Sequence, residues 1–247
     1  MERARQFLST IVLVALLGLM VRGDRLWHWA AGMPSDKNML FAALAQRDTN
    51  AVRRALAVGV DVNHPSLAGV TPLGTAACAG DEPMVAYLVG LGADIDSPGL
   101  AGFPPLAFAA MNGYTGTMRM LLRAGADVNG RHHGELPVTP PLVCAIISQQ
   151  NDAAELLIRA GADPNLCGRA GNKCSPLTAS VEPEHLDPHL IDLLISAGAN
   201  ANRADANGLT PLDAAMRSGN AASAAALRAA GGIRSCRPKP SRSGHPS

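Results

Sequence analysis

Short apolar stripes alternate with clusters of Gly, Ala, Asp and Asn along most of this 247-residue chain. Stripes such as Val85, Leu88 and Val89, or Met118, Leu121 and Leu122, predict amphipathic helices with one buried face. Ahead of each stripe lie small residues, as in Ala76-Ala77, Ala109-Ala110 and Ala214-Ala215, which predict a second helix packed at close range. The phrase that follows each stripe opens on Gly59, Gly92, Gly125, Gly161, Gly198 and Gly231, spaced by 33, 33, 36, 37 and 33 residues. Between these glycines a second phrase returns: "TPL" at 71–73, "PPL" at 104–106 and 140–142, "SPL" at 175–177 and "TPL" at 210–212. From its middle Pro to the next Gly the distances are 20, 20, 20, 22 and 20, whereas from Gly to Pro they are 13, 13, 16, 15 and 13. The helical part keeps its length and the connecting segment carries most of the variation.

Each phrase has a local task. Thr71, Ser175 and Thr210 are expected to N-cap the first helix of a unit, with Pro72, Pro176 and Pro211 at the first helical position, where no amide donor is missed. Gly80-Asp81, Gly113-Tyr114 and Gly219-Asn220 break the chain before the second helix. The recurring Gly ends that helix in a left-handed conformation, and the Asp or Asn after it favours a turn. A unit of this kind cannot bury both helices alone, so units must stack.

A period of 33 with two phrases in register resembles the ankyrin repeat family over about Lys37 to Ile233. The resemblance implies an all-α repeat solenoid of about six helix–turn–helix units with short β-turn fingers, and a non-catalytic protein-binding role. The His usual after "TPL" is replaced by Gly74, Ala107, Val143, Thr178 and Asp213, so that side chain's bond to neighbouring turns is lost. The first unit, "NMLFAALAQRD" at 38–48, lacks the Pro phrase and reads as a cap; Ala221–Ala230 of the last is nearly all alanine.

The ends read differently. Arg3 and Arg5 precede an apolar run from Phe7 to Val21, too short at about 1.5 Å per residue to span a hydrocarbon core of roughly 30 Å. A basic start followed by such a run is the pattern of a secretory signal; an uncleaved anchor with Trp27 and Trp29 at the interface is the alternative. Residues 1–23 are thus a signal peptide or membrane anchor, 24–36 a linker, 37–233 the repeat domain and 234–247 a disordered basic tail. Both readings put the repeats outside the cytoplasm, in the periplasm, either soluble or tethered to the inner membrane.

A formal net charge of +1 and 3 % aromatic residues give no reason to expect nucleic acid as a partner. No Gly-rich loop follows a strand and opens a helix, so no phosphate cradle is expected, and no cofactor. His132 and His133 with Glu135 are the nearest to a metal set, yet adjacent loop side chains chelate poorly and no third ligand has matching spacing. His185 and His189 are separated by Pro188, which is expected to start a helix. Cys78 and Cys144 fall in first helices and read as packing thiols. Cys167 and Cys174 flank "GRAGNK" in one finger; in an exported protein that pair reads as a disulfide, leaving Cys236 unpaired, and in the cytoplasm as two exposed thiols.

The expected activity is binding of another protein along the finger tips and the exposed ends of first helices, centred on the third to fifth units, where two consecutive fingers, 125–141 and 161–176, are enlarged. The family's alignment places Leu100, Phe103, Met111, Asn112, Arg131, His132, His133, Glu135 and Arg169 on that surface, with Phe103 and Met111 as apolar anchors. A membrane-tethered scaffold or regulator of a membrane enzyme is the alternative, and an enzyme with a site on a finger the remote one.

Overall fold

The structure, a computed structural model, describes residues 36–99, 102–135, 137–168, 175–181, 188–205 and 208–235. The export or anchor segment, the linker up to residue 35 and the tail from 236 lie outside them. Among the described residues no helix is long and apolar enough to cross a membrane.

The described helices form six pairs: α1 Asp36–Ala45 with α2 Thr49–Ala57, α3 Pro72–Ala79 with α4 Glu82–Gly90, and α5 Pro105–Met111 with α6 Thr115–Arg123. They continue as α7 Pro141–Ile147 with α8 Asn151–Arg159, α9 Pro176–Ala179 with α10 Pro188–Ser196, and α11 Pro211–Arg217 with α12 Ala221–Ala229. The fold is the all-α repeat solenoid expected. Asp36, assigned to the linker by sequence, already belongs to α1.

Local chemistry sets these boundaries. The hydroxyl oxygens of Thr71, Ser175 and Thr210 accept the N–H of Gly74 (3.1 Å), Thr178 (3.2 Å) and Asp213 (3.3 Å), and a Pro follows each cap. Asp48, Asp81 and Asn220 cap second helices in the same way. The tight turn within a pair needs a left-handed residue. Gly80 (φ +64°), Gly113 (+70°) and Gly219 (+72°) supply it, but Arg47 (+54°) and Gln149 (+58°) occupy the equivalent place, at a cost of roughly 1 kcal/mol each. Arg47 makes use of its position, because its guanidinium donates to the Ala79 carbonyl at the end of α3.

The chain divides into two compact units, the first comprising residues 1–162 and 168–170, the second 163–167 and 171–247. In the first unit α5 packs between α3 and α7, and its Leu106, Ala107, Ala109 and Ala110 are fully buried. The second helices bury Met84, Val85 and Leu88, then Thr117, Met118 and Leu121, then Ala153, Ala154 and Leu157. That face is shifted toward the N-terminus of the expected stripe, leaving Val89 and Leu122 half-buried. The cause is the backward tilt of helical side chains, which cover the turn preceding their own Cα.

The second unit repeats the register with Leu190, Ile191 and Leu194, then Ser223, Ala224 and Leu227. Its first helix is cut to four residues, and α10 starts at Pro188 as expected. At its end the chain is not loose: Ser235 N–H donates to Asp213 Oδ2 (2.9 Å), and Thr210 Oγ1 lies 2.8 Å from the Ile233 carbonyl. The tail assigned from Arg234 therefore begins with two residues fastened to α11.

Candidate interaction surface

The fingers are held by their Asp and Asn residues, which do more than favour a turn. Within each finger the first of the pair accepts the N–H two residues on: Asp61 from Asn63 (2.9 Å), Asp94 from Asp96 (3.2 Å), Asp127 from Asn129 (2.7 Å), Asp163 from Asn165 (2.8 Å) and Asn200 from Asn202 (2.9 Å). The second of the pair reaches across to the next finger. In the first unit, Asn63 Oδ1 accepts Asp94 N–H (2.8 Å) and Asp96 Oδ1 accepts Asp127 N–H (3.0 Å). In the second unit, Asn165 accepts Asn200 N–H (2.8 Å) and Asn202 accepts Ile233 N–H (2.7 Å). The Asp/Asn pair recurs because each copy closes its own turn and, within each unit, caps the next to form a ladder.

The third finger departs from the others. His132 and Glu135 exchange two backbone hydrogen bonds (3.1 and 2.9 Å) and form a β-bridge, so His133 and Gly134 are the two residues of a hairpin turn. Their φ angles of +49° and +81° match the primed turn that two-residue hairpins use. A histidine in the left-handed region is uncommon. The base of the finger is fixed by Val138 N–H donating to the Gly102 carbonyl (3.1 Å) and by Gly130, where any Cβ would sit 2.7 Å from Pro104 Cγ.

This hairpin brings together residues distant in sequence. His132 Nε2 lies 2.9 Å from Asp94 Oδ2 of the preceding finger, and the His132 and His133 rings are 4.0 Å apart between centroids. Burial acts to raise the Asp94 pKa, but the His132 and Asp96 hydrogen bonds and the two histidines outweigh it and hold it below the ordinary value. Asp96 moves the other way, raised by burial, with the charges of Asp127 and Asp94 adding to it. Beside His132 a cleft of about 40 Å³ is walled by Pro98, Gly102, Gly130, Glu135, Pro137 and Val138. It has room for water, and none of these walls carries a hydroxyl, thiol or amine nucleophile.

The nine residues assigned to partner binding divide in three. Arg131, His132, His133 and Glu135 gather on the hairpin, with His133 and Glu135 exposed. Leu100 and Arg169 lie outside the described residues; Leu67, the counterpart of Leu100 one repeat earlier, is 98 % exposed. Phe103, Met111 and Asn112 turn inward. Phe103 is 9 % exposed and joins Val70, Cys78, Phe108 and Cys144 in a core cluster, with its ring 5.9 Å from that of Phe108. Its role as an exposed anchor is corrected: the alanines of the first helices leave volume that this ring fills. Met111 packs against the same cluster, and Asn112 Nδ2 donates to the Phe108 carbonyl (3.0 Å).

Asp94 escaped the sequence reading because its link to His132 follows no repeat spacing. The cysteines of the first helices are buried as expected; burial raises both thiols, Cys144 to about 12. Cys167, expected to pair with Cys174, is a free and half-buried thiol in this structure, with Sγ 4.0 Å from the Asn165 carbonyl, and Cys174 lies outside the described residues. His185 also lies outside them, while His189 is exposed on α10.

Helix pairs in register, closed by Asx turns, define a binding-repeat scaffold. The family model described as ankyrin repeats (3 copies) matches twice, over residues 39–132 and 142–235, and the chain belongs to that family. His133, Gly134 and Glu135 of the hairpin fall between the two matches. No curated protein matches the chain. Among solved structures, that of the Bd0816 predatory endopeptidase from Bdellovibrio bacteriovorus in complex with immunity protein Bd3460 contains a similar chain. The identity is 26 % and the TM-score 0.63, covering 77 % of this chain and 97 % of that one.

Proposed function

We propose that this chain is a non-catalytic module that binds another protein along the finger edge of its first unit. The observation that carries this reading is the Arg131–Glu135 hairpin, held by two backbone bonds and presenting His133 and Glu135 outward. A surface ordered before binding loses less conformational entropy on association. Leu67 on the first finger adds an exposed apolar contact. The module acts outside the cytoplasm, in the periplasm, which rests on Arg3, Arg5 and the Phe7–Val21 run. Export is tested by fusing alkaline phosphatase after Ile233; an inactive fusion beside an active cytoplasmic reporter refutes it.

The likeness to a chain in an endopeptidase–immunity protein complex favours an endopeptidase as the partner. In this reading the module restrains such an enzyme, which also accommodates a tethered regulator. Candidate endopeptidases from the same genome, purified and assayed with and without the chain, provide the test. Inhibition that weakens about tenfold when Arg131 and Glu135 are both replaced by alanine supports the surface, the equivalent of about 1.4 kcal/mol. Inhibition unaffected by that change but abolished by Arg119→Ala or Arg159→Ala moves the site to the second-helix side.

A further inference from the structure

We propose that Asp94, His132 and His133 form a binding site for a divalent transition-metal cation of the zinc type. One ligand atom from each of the three lies within 4.8 Å of the others. Ligands about 2.1 Å from a tetrahedral zinc stand roughly 3.4 Å apart. The His132 Nε2–Asp94 Oδ2 distance of 2.9 Å is already near that value. The remaining adjustment falls on His133, whose exposed ring turns without disturbing packing. Water completes the coordination.

The chemistry of the set selects the metal. Two imidazoles and one carboxylate suit zinc, cobalt, nickel or copper, whereas calcium and magnesium call for oxygen donors throughout. The local charge is also right for a cation. Asp96 stands close enough to both Asp94 and His132 for their charges to interact, and Asp127 adds its own charge to Asp96, so the surroundings of Asp94 are acidic. The second shell is partly built: Asp94 Oδ1 accepts the Asp96 N–H, which orients the carboxylate and leaves Oδ2 for the ligand position. His133 sits at a turn position where Asn or Gly is the ordinary occupant, and from it the ring lies 4.0 Å from that of His132.

Such an ion joins the second finger to the third, because Asp94 belongs to one and both histidines to the other. The site thus gives the first unit a metal-dependent link at the surface assigned above to partner binding, and it does not depend on that assignment.

The test uses the full chain without a histidine tag, stripped with chelator. Zn²⁺ titrated by calorimetry is expected to bind with one-to-one stoichiometry, and Ca²⁺ is not expected to compete. Co²⁺ is expected to give an absorption spectrum of nitrogen and oxygen ligation without thiolate charge-transfer bands. Asp94→Asn, His132→Ala and His133→Asn should each weaken Zn²⁺ roughly tenfold or more. His133→Asn is the decisive variant, since Asn suits a left-handed turn and removes only the imidazole. His189→Ala should leave the affinity unchanged. Undetectable Zn²⁺ binding, thiolate bands with Co²⁺, or full affinity in folded His133→Asn overturns the proposal.

Discussion

Replacing Asp213 with asparagine tests how much of the second unit rests on one carboxylate. Asp213 is 7 % exposed, and its Oδ2 accepts the N–H groups of Thr210 (3.2 Å) and Ser235 (2.9 Å). The Asp213 N–H donates back to the Thr210 hydroxyl oxygen (3.3 Å), completing a capping box; that hydroxyl also lies 3.0 Å from Oδ2, and Arg234 Nε is 3.5 Å from Oδ1. Burial acts to raise the carboxyl pKa, but the bonds from Ser235 and Thr210 outweigh it and bring it from 3.8 to about 2. At about 1.4 kcal/mol per unit that displacement corresponds to roughly 2.5 kcal/mol. Arg234 is 68 % exposed and the carboxylate lies near the fold's end, so solvent screening reduces the figure to about 1–2 kcal/mol.

The sign follows from the depressed folded pKa. The contribution is fully present above the unfolded value near 4 and disappears as pH falls through about 2. In urea unfolding at pH 7, Asp213→Asn should cost about 1–2 kcal/mol, and hydrogen exchange should speed up in α11 and at residues 233–235. The gap between wild type and variant should close as the pH is lowered from 4 toward 2. A gap of the same size at pH 2.5 and pH 7 refutes the electrostatic account, and a cost below about 0.3 kcal/mol at pH 7 refutes the capping account as well.

Phe103→Ala should lower first-unit stability by about 3 kcal/mol in chemical denaturation, a folding loss where an exposed anchor would show only a binding loss. Thr117→Val should raise stability by about 1 kcal/mol, because the Thr117 hydroxyl is buried without a hydrogen-bond partner and Val keeps the shape; a loss of stability rules this out. Asn165→Ala removes the bonds to Asn200 N–H and the Gly198 carbonyl and should cost about 2 kcal/mol, whereas Asn165→Asp keeps the first and should cost about half that by thermal melting. A Cys167–Cys174 bridge would contribute roughly 2–3 kcal/mol; thiol titration of unreduced protein from its native compartment should find fewer than five free thiols.

Much of the fold was legible because its signals are local. A hydroxyl residue before Pro starts a helix wherever it stands, so α3, α9 and α11 begin where the phrases place them. The ladder between fingers was not legible, since period alone does not say which way a side chain turns. Phe103 was misplaced for a different reason. Val70, Phe103 and Leu209 all stand two residues before the helix proline, and this shared apolar position was the available sign that Phe103 belongs to the core. Its place on a finger points outward, but its register points to the core, and the register prevails. Asp94 and His132 had no sign of this kind, because a hairpin inserted out of period brings them together.

The same hairpin shows why chemistry can gather on a finger and not on the helices. The second helices bury one recurring face, three positions wide in the second to fourth pairs, so a ligand placed there faces a neighbour's core. A first helix is buried along most of its length, so its side chains are taken up by packing. The finger obeys only two constraints: its Asx pair must close one turn and cap the next, and its Pro must start the following helix. Apart from the apolar residue two places before that Pro, the interval between those points can vary in length, as the 13, 13, 16, 15 and 13 residues from Gly to Pro show. In the third finger the interval holds a two-residue turn and two histidines, and the ladder then imposes their partner. Asp94 is held from both sides, its N–H bonded to Asn63 and its Oδ1 to the Asp96 N–H, so Oδ2 is presented at a defined place. A rigid carboxylate on a repeated turn and a variable loop beside it are enough to build a site without altering the core.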